Sequence, residues 1–323
     1  MGTVSEDLLS RGATEAAEKV LSRFTSMVSA SKSAWDLLAA IDYLESKMVS
    51  RPFSALLINT VRNILTMLLS IDEGQTLDSI KSKIASRVSE VYVKVAEATE
   101  GAAEVASRRI EHGDVVITFS YSRSVLRALQ KAKAEGKNIS VIVAESRPLG
   151  EGVEMAKALA EFDIPVTLIV DSAMRYTVKK ATKALVGADA IAADGSVIAR
   201  TGVGLLALAA AEARVGMIVV AGTYKLYPET AYGLQLEVSS LSEEVVPEDL
   251  RVLGVRGYAP LFEAVQPHLI DALATEKGLM APEAVPLLIQ ETYGQWPPRV
   301  EPVRELFSKA KQKLRGLLGV EGP

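Results

Sequence analysis

The 323-residue chain has no cysteine, and this absence excludes the most. A disulfide framework, a thiolate metal site and a cysteine nucleophile are all ruled out. Histidine is almost missing, with only His112 and His268. A three-histidine zinc site cannot form, and Ser–His chemistry has few places to arise. Aromatic residues make up 5% of the chain, too few for a base-stacking platform. The opening MGTVSEDLLSRG lacks the charged-then-apolar pattern of a leader. Apolar runs such as 203–211 fall short of the ~20 residues a membrane span needs. The net charge is −4, with 13 basic and 14 acidic residues in 1–110 and 23 and 26 beyond. Neither part carries the cationic surplus of a nucleic-acid binder. A soluble, cytoplasmic protein is expected, with no nucleic-acid or membrane partner, no metal and no cofactor.

Two textures fill the chain. Residues 5–110 repeat apolar side chains at helical spacing, as in Ala16, Ala17, Val20, Leu21 and Phe24, or Leu56, Leu57, Val61, Ile64, Leu65 and Leu68. Beyond Glu111-His112-Gly113-Asp114, short β-branched runs at 115–119, 139–144, 166–170, 184–191 and 217–221 alternate with helical stretches at 122–135, 151–162, 172–182 and 202–214. Such alternation predicts an α/β architecture, with a helical N-terminal domain (1–110) and a Rossmann-like, doubly wound parallel-sheet domain (111–300). A basic amphipathic helix at 302–318 forms a C-terminal extension (301–323), suited either to a membrane or partner or to packing on its own subunit.

Parallel sheets bind ligands outside the carboxyl ends of their strands, so the residues after each strand are the candidates. Ser120-Tyr121-Ser122-Arg123 offers hydroxyls and a cation at a helix start, as either an anion seat or ordinary capping. Arg147 follows the second run and could clamp a phosphate. Asp189 falls inside the fourth apolar run, where an acid is costly unless paired or functional. Lys225 follows the fifth run and faces the same crevice. Neither a GxGxxG fingerprint nor a Walker loop occurs.

The segments ITFSYSRSVLRAL, VIVAESRP, IPVTLIVDSA, VGADAIAADGSV and GTYKLYPET, in this order, carry a family likeness. Over residues 8–298 the chain resembles the family of the alpha, beta and delta regulatory subunits of translation initiation factor 2B and their archaeal relatives. That family also contains the isomerases of ribose 1,5-bisphosphate and methylthioribose 1-phosphate. The resemblance implies a helical domain followed by a Rossmann-like domain, assembled as a homodimer or larger homo-oligomer. It also implies that Arg11, Arg51, Arg147, Asp189 and Lys225 face a sugar phosphate.

Departures from the family pattern set the functional expectation. The isomerases carry a cysteine, in a Thr-His-Cys pattern, that works with the aspartate of GAD. Here the cysteine position is Ser120 and the histidine position is Phe119. A hydroxyl is far less acidic than a thiol, and no histidine is near in sequence to serve as its base. Asn-Lys-Ile-Gly-Thr becomes Ala199-Arg200-Thr201-Gly202-Val203, which puts Arg200 at the lysine position. Phe-Asp-Val-Thr-Pro becomes Phe262-Glu263-Ala264-Val265-Gln266-Pro267. The expectation is therefore a non-catalytic regulatory subunit that self-associates, contacts a translation initiation factor, and binds a sugar phosphate or nucleotide through Arg11, Arg51, Ser122, Arg147, Arg200 and Lys225. The alternative is an aldose–ketose isomerase of the ribose 1,5-bisphosphate type using Asp189, with Ser120 or a water at the thiol position. GTYKLYPET favours this branch.

Overall fold

The computed structural model describes residues 12–50, 54–233 and 245–319. Arg11 and Arg51 lie outside the described residues. The N-terminal part is helical, as expected: α1 (Ala13–Ala30), α2 (Ala34–Ser50), α3 (Ala55–Leu69) and α4 (Leu77–Ser107). Side-chain oxygens begin two of them. Ser54 accepts from the Leu57 N–H, and Thr76 from the Ser79 N–H. Their apolar stripes meet in one core around Phe24, Leu37, Ile41, Leu57, Ile64 and Leu68.

At 31 residues, α4 is about 46 Å long and serves two cores. Its first half contributes Ile80, Ile84 and Val88 to the helical core. Its second half presents Ala102, Ala103 and Ala106 to the sheet core, where small side chains allow close approach.

The sheet domain holds β1 (Val115–Phe119), α5 (Arg123–Ala134), β2 (Ser140–Ala144), α6 (Glu151–Ala160), β3 (Val166–Ile169), β4 (Lys183–Val186), β5 (Ala190–Ala192), β6 (Val197–Arg200), α7 (Val203–Ala213), β7 (Gly216–Val220), β8 (Leu226–Tyr227), β9 (Phe262–Val265), β10 (Ala272–Thr275), β11 (Gly278–Met280) and α8 (Val285–Tyr293). The main sheet has the order β11-β10-β7-β4-β1-β2-β3. It is parallel except for the β10–β11 edge hairpin. The chain winds outward from β1 through β2 to β3, then returns to β4 on the other side of β1. The switch point therefore lies between β1 and β4. Helices cover both faces: α4, α5 and α6 on one, α7 and α8 on the other.

Two sequence expectations need correction. The run 184–191 is not one strand. It leaves the main sheet after Val186, and Ala190 joins a second sheet of order β8-β5-β6-β9. Asp189 thus sits in the link between two sheets, its N–H donating to the Ile198 carbonyl. The stretch 172–182 forms successive short turns, at Asp171–Ala173, Met174–Thr177 and Val178–Lys180, instead of one helix. The second sheet itself went unread, because its strands are only two to four residues long.

The C-terminal helix α9 (Val303–Leu317) packs on its own chain. Val303, Leu306, Phe307, Ala310 and Leu314 are buried in the helical core, against α3 and α2. Lys311 pairs with Asp42 and Glu45 of α2. Among the described residues no helix is long and apolar enough to cross a membrane.

Candidate active site

A crevice opens outside the carboxyl ends of β1 and β4, at the switch point. It is narrow, with a cavity volume of about 30 Å³. Ser120, Ser122, Asp189, Arg200 and Lys225 all line it. Ser120, Asp189, Arg200 and Lys225 are 5%, 8%, 8% and 4% exposed.

Each side chain is held by its local fold. Ser120 directly follows β1 and has φ 63°, a left-handed conformation uncommon for a residue with a Cβ. Its Oγ donates to Glu151 Oε2 at 2.7 Å. Glu151 opens α6, and its other oxygen, Oε1, accepts from an Arg200 guanidinium N–H at 2.6 Å. Arg200, at the end of β6, lies over the Phe262 ring at 4.6 Å. A hydroxyl, a carboxylate and a guanidinium from three separate elements therefore form one buried chain. Burial raises the Glu151 carboxyl above the usual carboxylate range; Arg200 and the Ser120 hydroxyl oppose this, and the Asp189 charge adds to it.

Lys225 sits in the turn Thr223–Lys225 after β7, and its Nζ donates to the Ala188 carbonyl at 2.6 Å, one residue before Asp189. The turn is fastened from two sides. Glu276, after β10, accepts from the Thr223 N–H. Asn59 of α3 donates to the Tyr224 and Leu226 carbonyls. Among the described residues the Asp189 carboxyl has no hydrogen-bond or ion-pair partner, so it is available to a ligand. Gly187 makes room here, since a Cβ would meet Ser122 Oγ at 2.3 Å.

The other candidates separate. Ser122 lines the crevice and also caps α5, its Oγ accepting from the Val125 N–H at 3.4 Å. Arg123 is engaged by Glu15 and Glu18 of α1, which ties the first helix to the crevice rim. Arg147 is exposed and lines an adjoining hollow with Ser146, Glu151 and Arg200, while its N–H donates to Asp171. Glu263 does not face the ligand space. It accepts from the Gly202 and Gly204 N–H groups at 2.7 and 2.8 Å and so fills the anion seat at the start of α7. Phe119, at the histidine position, packs its ring against Gly202.

Glu151 was missed by sequence reasoning. In the run Gly150-Glu151-Gly152 it reads as an ordinary acidic residue in a first helical turn. The available signal was its position just beyond the second parallel strand, between two glycines. Glu151 is 31 residues from Ser120 in sequence and 2.7 Å from its hydroxyl in space.

The fold and the crevice define an α/β protein with a helical N-terminal part and a polar, charged crevice at the switch point of a doubly wound sheet. The chain belongs to the Initiation factor 2 subunit family, whose pattern matches residues 10–282. It is 35% identical to the ribose 1,5-bisphosphate isomerase of Pyrococcus furiosus over 250 residues, 76% of this chain and 77% of that one. It is also 35% identical to the enzyme of the same name from Archaeoglobus fulgidus over 251 residues, 77% and 79% of the two chains. Among solved structures, the Pyrococcus horikoshii translation initiation factor eIF-2B superposes with a TM-score of 0.74 at 29% identity, covering 87% of this chain and 98% of that one. Six relatives at 34–36% identity over about three quarters of the chain carry the isomerase name. This overturns the expectation of a non-catalytic regulatory subunit.

Proposed function

We propose that the chain is an aldose–ketose isomerase acting on ribose 1,5-bisphosphate. The observation that carries this reading is the agreement of those six relatives, each covered over more than three quarters of its own length.

The chemistry requires protons to move without any change in overall composition. The ring oxygen gains a proton as its bond to C1 breaks. C2 then loses its hydrogen, C1 gains one, and the C2 hydroxyl gives up its proton as the ketone forms. Two groups must carry protons on either side of the C1–C2 pair. The unpaired carboxyl of Asp189 suits the exchange with sugar oxygens. Ser120, at the end of the neighbouring strand, occupies the place facing the carbons. The ammonium of Lys225 and the guanidinium of Arg200 supply positive charge beside Asp189 and Ser120, where oxyanions develop and phosphate oxygens bind. Arg147, in the adjoining hollow, is assigned to the second phosphate. The same reading includes self-association, for which the edge strand β3 and α7 offer the exposed side chains Leu168, Leu205 and Leu208.

The test is to incubate the purified chain with ribose 1,5-bisphosphate and follow ketose formation. Turnover that drops by about 10²–10⁴-fold in Asp189→Asn is expected. Wild-type protein that binds the bisphosphate yet forms no ketose would refute the proposal.

A further inference from the structure

We propose that Glu151 is the proton acceptor behind Ser120, and that the Ser120–Glu151–Arg200 chain carries the proton between the two reacting carbons. This rests on the isomerase reading above and assigns a role to a residue that reading does not use.

Three observations support it. The first is contact: Ser120 Oγ donates to one Glu151 oxygen at 2.7 Å and Arg200 donates to the other at 2.6 Å. The carboxylate is therefore oriented with one oxygen toward the hydroxyl. The second is placement. Glu151 is 2% exposed, and burying a carboxylate is costly unless it is paired or put to use. The third is access: Ser120 and Arg200, 80 residues apart in sequence, both line the crevice beside Asp189 while bonding the same buried carboxylate.

The proton path balances. Asp189 gives the ring oxygen a proton as the C1–O bond breaks and that oxygen keeps the bonding pair. As the C2–H bond then breaks, its electron pair becomes the C1=C2 bond of an enol phosphate. The released proton goes to Ser120 Oγ while the serine's own proton passes to Glu151 Oε2. In the second half, Glu151 returns its proton to Oγ and the serine delivers one to C1, while the C2 hydroxyl's proton returns to Asp189 as the ketone forms. C2 is oxidised and C1 reduced within one molecule, so no co-reactant is needed. Among the described residues the charged groups around Glu151 are Arg200, Asp189 and, across the adjoining hollow, Arg147. Burial raises the carboxyl above its ordinary range, which favours its taking up the serine's proton.

The experiment compares kcat and KM across pH for wild type, Glu151→Gln, Ser120→Ala and the double variant Ser120→Cys/Glu151→Gln, all with ribose 1,5-bisphosphate. Glu151→Gln should lower kcat by about 10²–10⁴-fold with little change in KM, and should abolish the acidic limb of the kcat profile. The thiol of the double variant, with an ordinary pKa of about 8.5, needs no carboxylate behind it and should restore much of the rate. A merely structural Glu151 would not be rescued in this way. Active wild type with Glu151→Gln within a few-fold in kcat and an unchanged pH profile would overturn the inference and leave the isomerase reading intact. Should Glu151→Gln fail to fold, Ser120→Ala keeps the Glu151–Arg200 pair, and full kcat in that variant overturns it equally. Wild type without turnover removes the isomerase reading and this inference together.

Discussion

Replacing Arg200 by methionine separates two contributions that differ in their dependence on pH. Methionine retains an apolar stem but removes the guanidinium from both Phe262 and Glu151. The contact with the Phe262 ring, at 4.6 Å, is worth about 0.5–2 kcal/mol and its loss is the same at every pH. Loss of the charge opposite Glu151 is not. Removing one partner of a buried pair costs about 3–5 kcal/mol when the other must stay charged. A carboxyl escapes this cost by remaining protonated. Without Arg200 the folded-state pKa of Glu151 rises further above its unfolded value of about 4.3. Between those two values each pH unit removes about 1.4 kcal/mol of stability, and below the unfolded value nothing is lost. Burial already raises Glu151 in the wild type, so the wild type shows the start of this slope and the variant continues beyond it. The difference in unfolding free energy should contain the ring contact's about 0.5–2 kcal/mol at every pH and grow as pH rises, to about 3.5–7 kcal/mol where Glu151 must stay charged. Urea denaturation followed by circular dichroism at several pH values in this window measures it. In Glu151→Gln/Arg200→Met the pH-dependent part should vanish. A constant difference from pH 5 to pH 8 would refute the argument, because Arg200 would then not be what holds the carboxylate's charge.

Two further predictions concern the frame around the site. Burial alone would raise the Asp114 carboxyl, but the Glu111 N–H, the Lys183 ammonium and the Thr182 hydroxyl outweigh it and hold the group below its ordinary range. Its stabilising effect is present above the unfolded value of about 3.9 and is lost as pH falls through the lower folded value. Asp114→Asn should therefore cost about 1–3 kcal/mol at pH 7 and flatten the acid limb of the stability curve, as read by denaturant titration. Gly202 has φ +116°, and a Cβ there would lie 2.3 Å from the Phe119 ring. Gly202→Ala should lower the melting temperature and cost more than about 1 kcal/mol, with partial recovery on adding Phe119→Leu.

The order of helices, the main parallel strands and the amphipathic C-terminal helix were all legible, because each carries a period that burial imposes on sequence. The link at Gly187-Ala188-Asp189 was not. Val186 and Ile191 are both buried, so the apolar run continues unbroken while the backbone changes sheets. Asp189 and Lys225 could be singled out because each is a charged residue beside an apolar strand. Ser120 was singled out by comparison with a family pattern, but its contact with Glu151 leaves no trace in the local sequence. Hydropathy reports which face of an element is buried, and it carries no record of which loops meet at the ends of a sheet. Glu151 belongs to that second kind of information, being brought to Ser120 only by the pairing of β1 with β2.

The seat of α9 on α2 and α3 bears on the order in which this protein can be completed on a ribosome. The first helical core has Phe307 and Leu314 among its buried members, although α3 ends at Leu69 and α9 starts only at Val303. At about 5–20 residues per second, roughly 10–50 s pass between the synthesis of these partners. During that interval α2 and α3 carry an uncovered apolar seam, which α9 closes once it has been made.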